Sequence, residues 1–400
     1  MTNLATPQIC ILGGGFGGLY TALRLSQFTW NEAVKPTITL VDQNDRFVFL
    51  PLLYELVTGE LASWEIAPTY SELLASTGVR FQQGTVSTID LDQQQVALAA
   101  GQVLPYDRLV LAMGGETPLD LVSGAAEYSI PFRTLADASR LKQRLAELEA
   151  SESDKIRITV VGGGYSGVEL ACKLADRLGD RGRVRVIERD SKILRTSPTF
   201  NQESSLKALS DRGIWLDLET TVESIAADQL TFTHHEQTET IPVDITLWTV
   251  GTRVIPLLDE LPLPKTETQQ LRLNQYLQVL EHPDIFALGD LAACQDLDGN
   301  PIPTTAQSAI QQSDYVGWNV WASLSDRPLL PFRYQHLGEM LSLGEYEATL
   351  SGLGLTLNGP LAHVARRLVY LYRMPTLEHQ LRVGFNWITK PLQDLLLNAT

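Results

Sequence analysis

Gln8-Ile-Cys-Ile-Leu-Gly-Gly-Gly-Phe-Gly-Gly-Leu-Tyr-Thr-Ala-Leu-Arg-Leu25 decides the fold. Its first five residues form an apolar run suited to a buried parallel strand. Gly13, Gly15 and Gly18 follow in GxGxxG spacing, with Gly17 inside the same turn, and Leu19 to Leu25 reads as the helix behind. In such a turn the first glycine bends the chain tightly. The second lets a pyrophosphate approach the backbone, and the third lets helix and strand pack closely. The helix N-terminus then offers its N–H groups and partial positive charge to the phosphates. A second strand, Thr37 to Val41, ends at Asp42, some 24 residues past Gly18. A carboxylate there accepts hydrogen bonds from a ribose diol. The unit recurs. Ile156-Arg-Ile-Thr-Val-Val161 leads to Gly162, Gly164 and Gly167, a helix over Val168 to Leu178, and a strand Val184 to Ile187 ending at Glu188. A lone GxGxxG is weak, but strand, motif, helix, strand and acid in order, twice, predicts an α/β chain with two Rossmann-like dinucleotide-binding domains.

The rest of the chain narrows the class. Four hundred residues exceed one ordinary core. A hydrophobic fraction of 44% with 20% charged residues is that of a folded chain. The net charge of −16 argues against a nucleic-acid partner, because phosphate repels such a surface. Cys10, Cys172 and Cys294 lie far apart, with no CxxC, which excludes a zinc ribbon, a disulfide scaffold and a local dithiol. The six histidines, His234 and His235 among them, form no metal-ligand spacing, so no metal is expected. No apolar run is long enough to span a bilayer. Ile9 to Leu25 superficially resembles a signal peptide, but its glycines and Arg24 argue for a buried strand and turn. The folded chain is therefore expected to begin near Met1, on the reducing side of any membrane it meets.

Three further segments carry a resemblance. Leu109-Val-Leu-Ala-Met-Gly114, with Ala112 and Gly114, and Ile245-Thr-Leu-Trp-Thr-Val-Gly251 are strands ending in small residues. Ile285-Phe-Ala-Leu-Gly-Asp290 supplies Gly289 and Asp290. Together with the doubled glycine unit, these resemble the two-dinucleotide-binding flavoproteins. The resemblance implies FAD on the first unit, NADH or NADPH on the second, and the nicotinamide domain inserted into the FAD domain. The expected boundaries are 1–120 and 251–330 for the FAD domain, 121–250 for the NAD(P)H domain and 331–400 for a C-terminal hairpin with amphipathic helices. Asp290 would bond the ribityl chain; the alternative is a plain helix N-cap before Leu291.

With no dithiol, electrons must leave the flavin for a diffusible or protein acceptor. Phe49-Leu-Pro-Leu-Leu-Tyr-Glu55 and Thr304-Thr-Ala-Gln-Ser-Ala-Ile-Gln-Gln312 resemble the type II NAD(P)H:quinone oxidoreductases, single-subunit, non-pumping enzymes of respiratory and photosynthetic membranes. That family's AQxAxQQ pattern falls on Ala306, Gln307, Ala309, Gln311 and Gln312. It implies backbone N–H groups near Ala306 beside the flavin's pyrimidine ring, and glutamines at the quinone entrance. A neutral amide orients a quinone carbonyl without adding charge. The alternative is the polar face of an ordinary helix, since Gln is a good helix former. Gly163-Gly-Tyr-Ser-Gly-Val-Glu-Leu170 resembles the family's GGGPTGVEL, with Tyr165 and Ser166 in place of Pro and Thr. Glu169 matches its carboxylate between nicotinamide and quinone, where it could relay a proton; the alternative is a first-turn glutamate favoured by the helix dipole. Tyr54-Glu-Leu-Val-Thr-Gly-Glu-Leu-Ala-Ser-Trp-Glu-Ile-Ala-Pro68 is similar to the cyanobacterial and plastid demethylphylloquinone reductase branch, implying a prenyl naphthoquinone, or a plastoquinone-type benzoquinone, as substrate. Glu188 favours NADH by repelling a 2′-phosphate, whereas Arg189 could meet that phosphate and the branch implies NADPH.

Leu361 to Tyr372 and Leu377 to Trp387 read as amphipathic helices, with Leu361, Val364, Ala365, Leu368 and Leu371 at helical spacing. Residues 361–400 hold five basic side chains, Arg366, Arg367, Arg373, Arg382 and Lys390, against two acidic ones, a net of +3 on an acidic chain. A basic, apolar tail predicts peripheral attachment to an anionic membrane on its cytoplasmic or stromal face. The alternatives are packing into the globule or a homodimer. Two other functions stay open at this level: a soluble reductase of an iron–sulfur carrier, and a flavoprotein that senses redox state without turnover.

Overall fold

The computed structural model describes residues 6–31, 35–296 and 299–397. The chain forms two compact units. The first comprises Met1–Phe47, Ala67–Glu116 and Thr252–Gln335, and the second Val48–Ile66, Thr117–Gly251 and His336–Thr400. In chain order the site-bearing elements are β1 (Gln8–Leu12), α1 (Phe16–Ser26), β2 (Thr37–Asp42), α2 (Tyr54–Thr58), β3 (Ile156–Val161), α3 (Tyr165–Leu178), β4 (Gly182–Ile187), α4 (Ala306–Leu324), β5 (Glu339–Ser342), α5 (Gly359–Arg373) and α6 (Leu377–Leu397).

The first unit is built on a six-stranded sheet in the order Gln278–Val279, His282–Ala287, Arg108–Leu111, β1, β2, Arg80–Gln83. All neighbours pair in parallel except the Gln278–Val279 edge. The β1 segment lies between β2 and Arg108–Leu111, so Ile9 to Leu12 is buried on both faces, which is why it is apolar without alternation. α1 packs against α4. The second unit has a wholly parallel five-stranded sheet, Trp215–Asp217, β4, β3, Ile245–Trp248, Ser129–Pro131. Antiparallel three-stranded sheets accompany it at 220–242 and at 339–358.

Two stretches group otherwise than the sequence suggested. Val48–Ile66 belongs with the second unit rather than with the first 120 residues, because α2 packs on α3 and the segment holds the C-terminal helices. Residues 336–400 likewise join the second unit instead of standing apart.

The C-terminal helices also face the opposite way from a globular amphipathic helix. On α5, Leu361, Val364, Leu368 and Tyr372 are exposed, while the inner face carries Ala362 and the fully buried Arg366. On α6, Leu377, Leu381, Phe385 and Ile388 are exposed. On both helices most large apolar side chains point outward; on α5 a charged side chain points in, and on α6 His379 and Val383 do. Among the described residues no helix is long and apolar enough to cross a membrane.

Candidate functional site

The two glycine loops are built alike. Gly13 and Gly162 take positive φ, 94° and 110°. A Cβ at Gly18 would overlap the Gly13 carbonyl oxygen, and one at Gly167 the Gly162 carbonyl oxygen. Both third glycines are therefore required by helix–loop packing. A Cβ at Gly15 or Gly164, by contrast, would meet no atom within 4 Å, and both residues are exposed. Neither α1 nor α3 has a side-chain cap or an acidic residue in its first turn. Each loop is thus an open cradle at an uncapped, unneutralised helix N-terminus, which fits the pyrophosphate of a dinucleotide.

The acids after the second strands are held in register with these loops. Asp42 Oδ2 accepts from the Gly14 N–H at 2.7 Å and Oδ1 from the Asn44 N–H at 2.8 Å. Glu188 Oε2 accepts from the Gly163 N–H at 2.5 Å and Oε1 from the Asp190 N–H at 2.8 Å. Asp42 Oδ1 also accepts from Asn44 Nδ2 at 3.2 Å, whereas each Glu188 oxygen keeps a further lone pair for a ribose hydroxyl. Arg189 is exposed beside Glu188. Gly114 and Gly251 end their strands in left-handed turns, φ 68° and 72°, and Ala112 is buried against Gly13.

Around the second fingerprint, Asp290 lies inside a short 3₁₀ turn, Gly289–Leu291, whose N-cap position is Leu288. It is not the N-cap that was the alternative reading. Gln312, buried on α4, accepts the Gly289 N–H at 2.8 Å and donates to Cys294 Sγ at 3.2 Å. Gln307 and Gln311 share one face of α4, as their spacing predicts. The Gln311 amide pairs with the Gln335 backbone, donating at 2.8 Å and accepting at 2.9 Å, while Gln307 Oε1 accepts from the Tyr334 hydroxyl at 3.1 Å. Gln311 and Gln312 thus each donate one hydrogen bond and accept one within the first unit. Ala306 opens α4 behind the Thr305 cap, with no acid in the first turn.

In the second unit, Glu169 is the fifth residue of α3, past the first turn, and buried, so the helix dipole does not account for it. Its Oε1 accepts from the Ser342 N–H at 2.8 Å and lies 3.6 Å from an Arg366 guanidinium nitrogen. Burial pushes its carboxyl up to about 7, against the pull of Arg366 and the Ser342 N–H. Arg366 is itself anchored elsewhere, donating to Glu55 Oε1 at 2.6 Å and to the Pro51 carbonyl at 2.7 Å. Lys173, fully buried one turn along α3 from Glu169, pairs with Glu60 and stands 4.0 Å from Glu55. Arg367 closes the group on Glu60 at 3.0 Å. Burial would raise the Glu55 carboxyl, but Arg366 and Lys173 hold it below the usual range. The sequence reading assigned Arg366 and Arg367 to lipid attraction; the structure places both in this ion-pair group. Only the four-residue spacing of Glu169 and Lys173 signalled it in the sequence.

The stretch from Val48 to Ile66 is the receptor for the C-terminal helices. Buried Glu65 accepts from the Ala62 N–H at 2.6 Å, Asn386 Nδ2 at 3.0 Å and Trp387 Nε1 at 2.8 Å. Arg382 lies over the Trp64 ring and Phe49 packs on Tyr370. Tyr54, stacked on Phe132, donates to Ser166 Oγ at 3.0 Å, so the Ser166 variant of the second loop meets the Tyr54 segment. The three thiols are buried and pushed up to about 12 by burial, which removes thiolate chemistry at neutral pH.

Residues 7–313 match the family model described as pyridine nucleotide-disulphide oxidoreductase. Demethylphylloquinone reductase NdbB of Synechocystis sp. is 58% identical, covering 98% of each chain. The alternative NAD(P)H-ubiquinone oxidoreductase C1, chloroplastic/mitochondrial, of Arabidopsis thaliana is 44% identical over 97% of this chain and 82% of its own. Among solved structures, NDH2 from Plasmodium falciparum in complex with NADH superposes with a TM-score of 0.85 over 96% of this chain and 98% of that one, at 16% identity, a likeness of fold.

Proposed function

Because this chain belongs to the pyridine nucleotide-disulphide oxidoreductase family, and within it to the type II NAD(P)H:quinone oxidoreductases, we propose that it transfers a hydride equivalent from NAD(P)H through FAD to a prenyl quinone, without pumping protons. The favoured acceptor is demethylphylloquinone, the substrate named for the Synechocystis relative. FAD is assigned to the Gly13–Gly18 loop with Asp42 on its ribose and Asp290 toward its ribityl chain. NAD(P)H is assigned to the Gly162–Gly167 loop. Bound flavin supplies a two-electron relay between a hydride donor and the quinone. The protein's part is to hold both dinucleotides and to supply the proton that completes the quinol. The overall balance is NAD(P)H + H⁺ + quinone → NAD(P)⁺ + quinol, so one proton per turnover comes from outside the nicotinamide.

The observation that carries this reading is the double use of α3. Its N-terminus is an open nucleotide cradle, and its fifth residue is a buried carboxyl poised near neutrality, which suits a proton donor. Gln307 is the glutamine proposed to meet the quinone. Gln311 and Gln312 hold the Gln335 segment and the Gly289–Leu291 turn. The outward apolar faces of α5 and α6 support attachment to the membrane that holds the quinone.

Steady-state oxidation of NADPH and NADH by the flavin-loaded protein, with a demethylated prenyl naphthoquinone as acceptor, tests the assignment. Turnover with both donors is expected, NADPH being preferred. Arg189→Ala should lower kcat/KM for NADPH about tenfold with little change for NADH, the loss of one charge-assisted phosphate contact. Bleaching of the flavin by either donor with no reoxidation by naphthoquinone or benzoquinone would overturn the quinone assignment.

A further inference from the structure

We propose that Arg366, carried by α5, is a positioning residue for the protonation step: it is the counter-charge that lets Glu169 give up its proton. This rests on Glu169 being the proton donor. A carboxyl that donates inside a protein leaves a buried carboxylate, and an uncompensated buried charge is costly. Arg366 is the nearest cation to that oxygen, at 3.6 Å. That distance is too long for a hydrogen bond and short enough for a strong charge interaction.

The arrangement is a compromise held by Glu55. Arg366 gives its short hydrogen bonds to Glu55 and Pro51, not to Glu169. Paired directly, Glu169 would stay ionised and have no proton to give; without Arg366, it would hold the proton too tightly. Held back by Glu55, it can do both.

The other groups facing Glu169 do not replace this control. Lys173 on α3 is committed to Glu60 and Glu55. Tyr54 on α2, Tyr370 on α5 and Tyr165 and Cys172 on α3 are all held neutral by burial. β5 contributes only the Ser342 N–H.

Three carboxylates, Glu55, Glu60 and Glu169, face three cations, Lys173, Arg366 and Arg367. The group is therefore balanced when Glu169 is ionised and carries one excess positive charge when it is protonated. A second observation sets it apart from a closed structural ion pair. Glu55 Oε2 and Arg366 Nε are buried and have no hydrogen-bond partner among the described residues. A purely structural network would saturate these atoms. The step itself is a proton transfer: the Glu169 O–H bond breaks, an O–H bond forms on the singly protonated reduced quinone, and the carboxylate regains a proton from water.

The test is the pH profile of turnover from about pH 5.5 to 9 with saturating NADPH and menadione, compared with infrared titration of the buried carboxyl C=O band in the holoenzyme. Wild type should lose rate as pH rises through about 7, as the protonated donor is depleted, and Glu169→Gln should lose both the limb and the band. Arg366→Met should move limb and band up by about one pH unit, a tenfold change in ionisation constant, with kcat reduced about tenfold. Glu55→Gln should move both down, because Arg366 is released toward Glu169. Arg366→Lys should restore most of the wild-type profile. Opposite shifts cannot come from general loss of stability. Glu55→Gln, which keeps Arg366, carries the test alone where Arg366→Met fails to fold. If Glu169→Gln keeps the limb and the band, the reading of Glu169 as donor falls and this inference with it. If Glu169→Gln abolishes them while Arg366→Met and Glu55→Gln leave them unmoved, only the role of Arg366 is overturned.

Discussion

A Cβ at Gly164 meets no atom within 4 Å, whereas one at Gly167 would overlap the Gly162 carbonyl oxygen. Two glycines three positions apart therefore serve different ends, one for ligand approach and one for packing. Gly164→Val should leave the thermal transition within a degree or two of wild type and raise KM for NAD(P)H at least tenfold. Gly167→Val should lower stability by about 1–3 kcal/mol through overpacking before any binding effect is measured. Calorimetry together with donor KM separates the two. These roles were legible in the sequence because they are local: the turn, the helix behind it and the acid that follows all lie within about thirty residues. The positions of Glu188 and Asp42 were legible for the same reason; that each accepts the N–H of its loop's second glycine, Gly163 or Gly14, appears only in the structure. Arg366 was not. Its partner Glu55 is 311 positions away, and a buried arginine in an amphipathic pattern looks like a solvated one.

At the scale of elements, periodicity located both C-terminal helices but not the face that turns inward. A 3.6-residue apolar stripe is blind to direction: it marks one face as different and leaves tertiary contacts to choose which is buried. Here the choice is made by Val48–Ile66, whose carboxylates Glu55, Glu60 and Glu65 accept from Arg366, Arg367, Asn386 and Trp387. Their polar face having found these partners, α5 and α6 leave Leu368, Leu381 and Phe385 outside. Glu65 is the test case for this docking, because one buried carboxylate satisfies a backbone N–H, an amide and an indole N–H at once. Glu65→Ala strands those donors and should cost about 3 kcal/mol. The loss should appear first as faster hydrogen exchange over α6, with the exchange of β1 and β3 unchanged. Uniform acceleration across the chain would show that α6 is not a separately seated element.

The whole molecule carries −16, and two of the five cations counted in the C-terminal forty residues are tied to Glu55 and Glu60. The sequence-level case for attraction to anionic lipid is therefore weakened, while the case for apolar attachment is strengthened by the outward leucines and Phe385. The two contributions respond differently to lipid and salt. Electrostatic attachment adds about 1 kcal/mol for each basic residue near an anionic surface and fades with ionic strength. Apolar insertion adds about 1.5–3 kcal/mol for each large side chain and is indifferent to both. Sedimentation of the holoprotein with phosphatidylcholine vesicles should thus differ less than about threefold from sedimentation with phosphatidylserine-containing vesicles. Raising salt from 50 to 300 mM should change it little. Leu368→Asp or Phe385→Asp should weaken binding at least tenfold, since each replaces an inserted side chain with a charge. These positions are exposed and far from Glu169 in role, so turnover with water-soluble menadione should persist while turnover with a long-tailed prenyl quinone in vesicles falls. Binding that required phosphatidylserine and vanished at 300 mM salt would instead return the attachment to Arg373, Arg382 and Lys390. Binding to neither vesicle, with a shift to a dimer at micromolar concentration, would assign the apolar face to a second copy of the chain.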